Sequence, residues 1–128
     1  MTKWMRTAVL KKVVVGLAVL ASATVASQSA VAAAAGEFYR VDRVLAHDTD
    51  VWRVWVPAGA SVRVLVDGDG DTDLDLHVYS PSGHLLGVDD DDTDYCVARF
   101  RTFESGYIQI RIRNWGRVYN EYALSVTF

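Results

Sequence analysis

Cysteine is nearly absent from this chain of 128 residues, in which Cys96 is the only one. No disulfide can therefore form within one molecule, and a second cysteine would have to come from another chain. A lone cysteine in an alternating segment is more often a small buried apolar residue. We expect that role for Cys96.

Motifs of established catalytic chemistry are also missing. The sequence contains neither the zinc-binding pattern HExxH nor the serine-nucleophile pattern GxSxG. Its three histidines, His47, His77 and His84, are too few beside one cysteine for a typical zinc site. Spacing alone leaves a Cys96–His77 pair open, but we expect no enzyme. A small hydrolase or inhibitor without recognisable motifs is the remaining alternative.

Acidic residues are absent from the first 36 positions, which have the three-part pattern of a secretory signal peptide. Basic residues come first, an apolar run follows at residues 13–24, and small residues with A-x-A spacing end at Ala35. We therefore predict a signal peptide over residues 1–35, a mature domain over residues 36–128, and a secreted or periplasmic protein. The apolar run is too short for a comfortable membrane span, which makes an uncleaved membrane anchor the less favoured alternative.

Removal of the leader changes the net charge. Four of the thirteen lysines and arginines lie in residues 1–35, so nine remain against sixteen acids, a net charge of −7. An acidic domain is repelled by nucleic acid and by anionic membranes, which excludes both as expected partners.

Helix patterns are absent after residue 36. Apolar and polar residues alternate instead over short segments separated by turn residues, which predicts antiparallel β-strands. The predicted strands cover residues 38–44, 51–56, 61–66, 73–79, 85–88, 95–101, 107–113 and 122–128. Polar residues, proline or glycine predict turns at residues 47–50, 57–60 and 80–83.

Each of these eight short strands has one apolar face, such as Leu74, Leu76 and Val78 or Ile108, Ile110 and Ile112. A single sheet would leave these faces in water, so two sheets must pack against each other. We predict an all-β, jelly-roll-like antiparallel β-sandwich.

Ten of the sixteen acids lie in residues 67–94, in two clusters that flank one predicted strand and its return segment. If these segments pair, both clusters reach the same end of a sheet. Crowded carboxylates repel each other, and calcium takes six to eight oxygen ligands. We therefore predict a Ca²⁺ site with ligands among Asp69, Asp71, Asp73, Asp75, Asp90, Asp92 and Asp94. The alternative is a pair of solvated acidic loops; an EF-hand is excluded because its glycine and glutamate positions are Thr72 and Val78.

Several segments together resemble the bacterial pre-peptidase C-terminal domain family. They are DTDVWRVWVPAGASVRV from Asp48, GDGDTDLDLHVYSPSG from Gly68, DDDDTDYC ending at Cys96, SGYIQIRIRN from Ser105 and VYNEYALSV from Val118. The resemblance implies a jelly-roll-like sandwich, of a kind appended to secreted peptidases and other hydrolases. Some members bind calcium and certain relatives bind collagen. By this resemblance, residues 73–76 match the family's DLDL strand and residues 89–94 its acidic loop; no residue here fixes a collagen specificity.

Outward-facing aromatic and arginine side chains make up a second candidate site. We predict that they bind a polysaccharide or an extracellular protein independently of metal, with Arg53, Trp55, Tyr79, Tyr107 and Trp115 as the candidate residues. The same side chains could instead be solvated, with arginine stems covering aromatic edges. The predicted function is a secreted, non-enzymatic, calcium-stabilised accessory or binding module, with the metal-independent binding module as the alternative.

Overall fold

Nine β-strands and no helix make up the part of the chain that the structure describes, which in this computed structural model is residues 35–128 with the backbone of Val13–Val14. The predicted signal peptide lies almost entirely outside the described residues. The strands are β1 Val13–Val14, β2 Glu37–Val44, β3 Thr49–Val56, β4 Ser61–Asp67, β5 Leu74–Tyr79, β6 Leu85–Asp89, β7 Tyr95–Arg101, β8 Gly106–Asn114 and β9 Asn120–Thr127. Within these residues, nothing has the length and apolar character of a membrane-spanning helix.

The strands form two sheets. Sheet A has five strands in the order β1-β3-β8-β5-β6, and sheet B has four in the order β2-β9-β4-β7. All pairings are antiparallel except that of the short β1, which runs parallel to β3 at the edge of sheet A. The prediction of an all-β antiparallel sandwich with about eight short strands is confirmed by β2 to β9.

The core lies between the two sheets and is built by alternation along each strand. In sheet A the inward residues of β8 are Ile108, Ile110 and Ile112, all fully buried. Sheet B contributes Val64, Leu124 and Val126 from its two central strands, together with buried Cys96 from β7. Successive side chains of a strand point to opposite faces, so the apolar sets predicted for β5 and β8 are each buried together, whereas Leu85 and Val88 of β6 are exposed.

The first predicted turn is shorter than expected. Residues 47–50 were predicted as a turn, but β3 already begins at Thr49, and Asp50 pairs with Ile112 of β8. Asp50 is buried and accepts a 2.6 Å hydrogen bond from the hydroxyl of Tyr122, which in turn accepts one of 2.8 Å from the indole of Trp52. This buried bond explains why a polar residue continues the strand. The bend itself falls at His47, which has a φ of 55°.

Both acidic segments lie in loops that cross from one sheet to the other. Residues 68–73 connect β4 of sheet B to β5 of sheet A, and residues 90–94 connect β6 of sheet A back to β7 of sheet B. Because β5 and β6 are antiparallel neighbours with Leu76 opposite Asp89, the start of β5 and the end of β6 lie side by side. The two loops therefore leave sheet A at the same end.

Candidate functional site

The two crossover loops meet directly; we call residues 68–73 and 90–94 the acidic junction. The amide of Gly68 donates a 2.9 Å hydrogen bond to the carbonyl of Asp94, and the amide of Leu74 donates one of 3.2 Å to the carbonyl of Thr93. A Cβ atom on Gly68 would overlap the carboxylate of Asp94, so glycine permits this approach. The fold therefore brings both acidic clusters together.

Asn120, which the sequence did not suggest as part of the site, ties the junction to sheet B. Its side chain is fully buried and donates hydrogen bonds to Asp94 Oδ2 at 2.9 Å and Thr72 Oγ1 at 3.0 Å. Its Oδ1 accepts a 3.2 Å hydrogen bond from the amide of Asp69. The available signal was its position: Asn120 shares the inward parity of Tyr122 and Leu124, where an amide must find polar partners.

Three of the seven predicted ligands already accept hydrogen bonds that shape the loops. Asp69 accepts hydrogen bonds from the backbone amides of Asp71 at 3.0 Å and Glu121 at 2.9 Å. Asp94 accepts a hydrogen bond from the backbone amide of Gly70 at 2.6 Å, in addition to the one from the Asn120 side chain. Asp75 accepts a 2.7 Å bond from the indole nitrogen of Trp115. These carboxylates retain further lone pairs, since an ionised carboxylate offers about four acceptor positions. The remaining predicted ligands apart from Asp73 are exposed on the loops: Asp71, Asp90 and Asp92.

Asp73 differs from the other aspartates of the junction. Its Oδ1 is buried and has no hydrogen-bond partner among the described residues. Burial raises the pKa of this carboxyl above its usual value, and the negative charges of Asp75, Asp92, Asp91 and Asp94 raise it further. A buried acceptor without a donor is unfavourable, so this oxygen is where the junction lacks positive charge.

The side chains of the junction are not arranged as a finished metal cage. Within residues 35–128, no three or more histidine, cysteine or acidic side chains are grouped closely enough to hold an ion. The donor set nonetheless has the right chemistry for a hard cation, because all its members are carboxylate or carbonyl oxygens. The backbones of the two loops thus lie together, and for an ion to be coordinated between them the exposed carboxylates must turn inward.

A second feature is a cavity of about 650 Å³ on the outer face of sheet A, which we call the outer pocket. Its lining residues are Arg53, Tyr79, Ser80, Pro81, Gly83, Tyr107, Gln109 and Arg111. Three of the five predicted ligand-binding residues, Arg53, Tyr79 and Tyr107, therefore lie in one concave site. The turn at residues 80–83 closes one side of it, held by hydrogen bonds from the Ser80 amide to the His84 carbonyl at 2.7 Å and from the Gly83 amide to the Ser80 carbonyl at 2.9 Å.

The two tryptophans of the predicted set lie outside this lining. Trp55 is opposite Tyr107 on the neighbouring strand, next to the pocket. Trp115 follows β8 and is beside the acidic junction instead, where it donates to Asp75 and has the guanidinium carbon of Arg113 4.2 Å from its ring centroid. The buried side chain of Asn114 determines this placement, because it holds the loop through the carbonyl of Val118 at 2.8 Å and the amide of Gly116 at 2.8 Å.

Cys96 is buried in the core, as expected from the sequence. Its sulfur donates to the carbonyl of Leu74 at 3.2 Å, and burial raises its pKa to about 12. His77 belongs to the opposite, outer face of sheet A, where its ring stacks with that of Tyr79, the two ring centroids being 6.5 Å apart. The structure thus does not form the nucleophile–base pair that the spacing of these two residues had left open.

Comparison with known proteins gives one family match. The model of the bacterial pre-peptidase C-terminal domain matches residues 48–113. No curated protein sequence matches the chain.

Two solved structures are similar to this chain at low identity. The pre-peptidase C-terminal domain of a collagenase from Bacillus anthracis is 15% identical, with a TM-score of 0.61, over 70% of this chain and 88% of that one. A periplasmic inhibitor of g-type lysozyme from Aeromonas hydrophila is 17% identical, with a TM-score of 0.49, over 90% of this chain and 96% of that one. The first likeness shows the fold alone, and the second carries no argument about function.

Proposed function

The chain belongs to the bacterial pre-peptidase C-terminal domain family, and on this premise we propose that it is a secreted, non-enzymatic accessory module with a calcium ion bound at the acidic junction. Domains of this family are non-catalytic and are appended to secreted peptidases. The unreactive environment of Cys96 agrees with a non-catalytic role.

The observation that carries the calcium proposal is the unpartnered Oδ1 of Asp73. This buried oxygen belongs to a carboxyl whose pKa is raised by burial and by four neighbouring aspartates, Asp75 on β5 and three from the facing loop 90–94. Two like charges about 4 Å apart repel by about 4 kcal/mol near a protein surface. A divalent cation at this point would supply the missing positive charge and offset that repulsion.

The residues proposed to hold the ion are Asp73 and three of the four aspartates whose charges raise its pKa. Asp75 follows on β5, while Asp92 and Asp94 come from the facing loop. Asp92 is exposed, so a change of its side-chain rotamer can direct its oxygens toward Asp73. Calcium suits such a set better than magnesium, because it accepts irregular shells of six to eight oxygens and readily exchanges water.

Titration calorimetry of the purified full-length chain with calcium chloride tests this proposal. Extracellular modules bind calcium with dissociation constants of about 10⁻⁴–10⁻³ M, and we expect a single site in this range. The Asp73→Asn variant should lose the binding heat. Glu37→Gln, which removes one acidic charge at the opposite end of sheet B, is the matched control and should bind as the wild type does. Equal binding by Asp73→Asn and wild type would place the ion elsewhere.

The outer pocket favours a second candidate function, a binding module for carbohydrate or matrix protein that acts without metal. Tyr107 is 40% exposed at the pocket. The volume of the pocket, about 650 Å³, lies within the range of known small-ligand sites. A glycan array and a matrix-protein pull-down, both in chelator, would test this function. Tyr107→Ala should lose binding, whereas Tyr39→Ala, which removes an exposed tyrosine of sheet B, should retain it.

A further inference from the structure

The outer pocket has a regular arrangement around Gln109 on the central strand β8. Arg53 lies opposite Gln109 on β3, and Tyr79 lies opposite it on β5. Tyr107 and Arg111 are the outward residues before and after it on β8 itself. A central amide is thus surrounded by two arginines and two tyrosines, all within reach of one small ligand, since diagonal neighbours on a sheet face are about 7–8 Å apart.

Both arginines of the pocket are available to a ligand. Among the described residues, neither Arg53 nor Arg111 forms an ion pair with a carboxylate, and no acidic side chain lines the pocket. Arg111 is held in place by donating from Nε to Gln109 Oε1 at 2.8 Å, with its guanidinium carbon 5.6 Å from the centroid of the Tyr79 ring. A guanidinium that is held in place and has no carboxylate partner is a strong donor for an anion, above all for a carboxylate that accepts two parallel hydrogen bonds.

The acidic junction does not cancel this positive charge. The junction adjoins Leu74 at the start of β5, whereas the pocket includes Tyr79 at the end of the same strand. Five residues of strand span about 17 Å, which is roughly twice the screening length of about 8 Å at physiological ionic strength. At this end of the sheet the carboxylate of Glu104 accepts hydrogen bonds from the amide and hydroxyl of Ser82, and it is outside the lining.

The location of the pocket favours a sugar over an extended peptide. Peptides that bind to sheets generally pair with the free backbone groups of an edge strand. Here the pocket is centred on β8, whose backbone already pairs with β3 on one side and β5 on the other. The three strands therefore offer only side chains here: phenol rings with flat faces, an amide that both donates and accepts, and guanidinium groups. A hydroxyl-bearing ring with a carboxylate complements all three.

We propose that the outer pocket binds an acidic sugar, a uronic acid residue within an extracellular polysaccharide. Its carboxylate pairs with Arg53 and Arg111, its ring lies against Tyr79 or Tyr107, and its hydroxyls bond to Gln109. This inference rests on the second proposed function, the metal-independent binding module, and specifies its ligand class.

The test measures binding of three probes to the full-length chain by calorimetry in the presence of a chelator. The probes are trigalacturonate, its fully methyl-esterified form, and triglutamate, which has a similar charge on a peptide. We expect trigalacturonate to bind at least about tenfold more tightly than either of the others, because each charge-assisted hydrogen bond is roughly twice as strong as a neutral one. Its affinity should also fall as sodium chloride is raised, a readout that needs no variant.

Variants assign the binding to the pocket. Arg53→Ala and Arg111→Ala should each lower the trigalacturonate affinity about tenfold or more. Arg99→Ala removes an exposed arginine from the outer face of sheet B and should leave the affinity unchanged. Equal loss in the Arg99 variant would mean non-specific charge attraction and would overturn the proposal.

The remaining outcomes distinguish failure of the acidic-sugar proposal from failure of the proposed binding-module function. Equal binding of the esterified probe, lost in Tyr107→Ala, would refute the acidic-sugar assignment but leave a carbohydrate-binding module. Preference for triglutamate would replace carbohydrate with an acidic peptide and overturn the proposal. Binding of none of the three probes would overturn the acidic-sugar proposal, and only an empty glycan array and matrix pull-down would remove the binding-module function as well.

Discussion

Asn120 at the start of β9 donates a 2.9 Å hydrogen bond from its side-chain nitrogen to Oδ2 of Asp94, across 26 positions of sequence. The same amide contacts Thr72 and the backbone of Asp69 in the other crossover loop. One buried side chain therefore holds both acidic loops at the end of the sandwich. The convergence of these loops depends on a neutral amide as much as on the fold of sheet A.

We predict that Asn120→Ala lowers the free energy of unfolding by about 1–3 kcal/mol, because it removes the three hydrogen bonds that join both acidic loops to β9. Urea denaturation followed by circular dichroism measures the change. Glu121→Gln is the control: it disrupts only the exposed 3.0 Å pair with Arg43 and should change stability by less than about 1 kcal/mol. A similar loss in both variants would show that Asn120 has no special role.

Calcium should raise the melting temperature. At 1 mM calcium and a dissociation constant near 10⁻⁴ M, binding stabilises the folded state by about 1.4 kcal/mol. For a domain of this size that corresponds to roughly 5–10 °C. Differential scanning calorimetry of the full-length chain with calcium and with chelator gives the shift. Superimposable melts would remove calcium from the account.

The raised pKa of Asp73 predicts how stability depends on pH without calcium. The folded state holds this proton more tightly than the unfolded state, so ionisation of Asp73 costs stability as pH rises from about 3.8 through the folded-state pKa. In chelator at pH 7, Asp73→Asn should therefore be more stable than the wild type, and the difference should shrink as pH falls through that window.

Calcium should make the wild type the more stable of the two proteins at pH 7, since only the wild type retains the Asp73 carboxylate that binds the ion. Urea midpoints of both proteins, measured from pH 4 to pH 7 with chelator and at pH 7 with calcium, test both statements. A variant that is less stable than the wild type in chelator at neutral pH would contradict the proposed repulsion at the junction.

The thiol of Cys96 should be inert in the folded protein. With a pKa of about 12, about one molecule in 10⁴ carries a thiolate at pH 8, and the sulfur is buried as well. A disulfide reagent with a chromogenic leaving group should label the chain only after denaturation in guanidinium. Rapid labelling under native conditions would show an accessible and reactive cysteine.

Strand positions and inward faces follow closely from the sequence because both depend on local alternation. Ile108, Ile110 and Ile112 are buried as predicted, and the turn at residues 80–83 follows from its proline and glycine. Beginning a strand at Thr49 was not predictable in this way. It depends on the buried contact between Asp50 and Tyr122, which are 72 positions apart.

The composition of the sites was only partly predictable, because strand order is a tertiary property. Arg53, Tyr79 and Tyr107 meet only because β8 lies between β3 and β5, an order that no local pattern encodes. Trp115 was predicted with them, yet it lies beside Asp75 because the side chain of Asn114 sets the course of its loop. An amide at an inward strand position, as at Asn114 and Asn120, was the available signal for such tertiary anchors.

Diffraction from a crystal of the full-length chain soaked in calcium chloride, recorded at a wavelength where calcium scatters anomalously, tests the account most directly. We predict one anomalous peak at the acidic junction, about 2.3–2.6 Å from Oδ1 of Asp73, with further oxygens from the facing loop around it. A peak confined to other parts of the surface, or none at saturating calcium, would contradict the proposal that the two crossover loops share an ion.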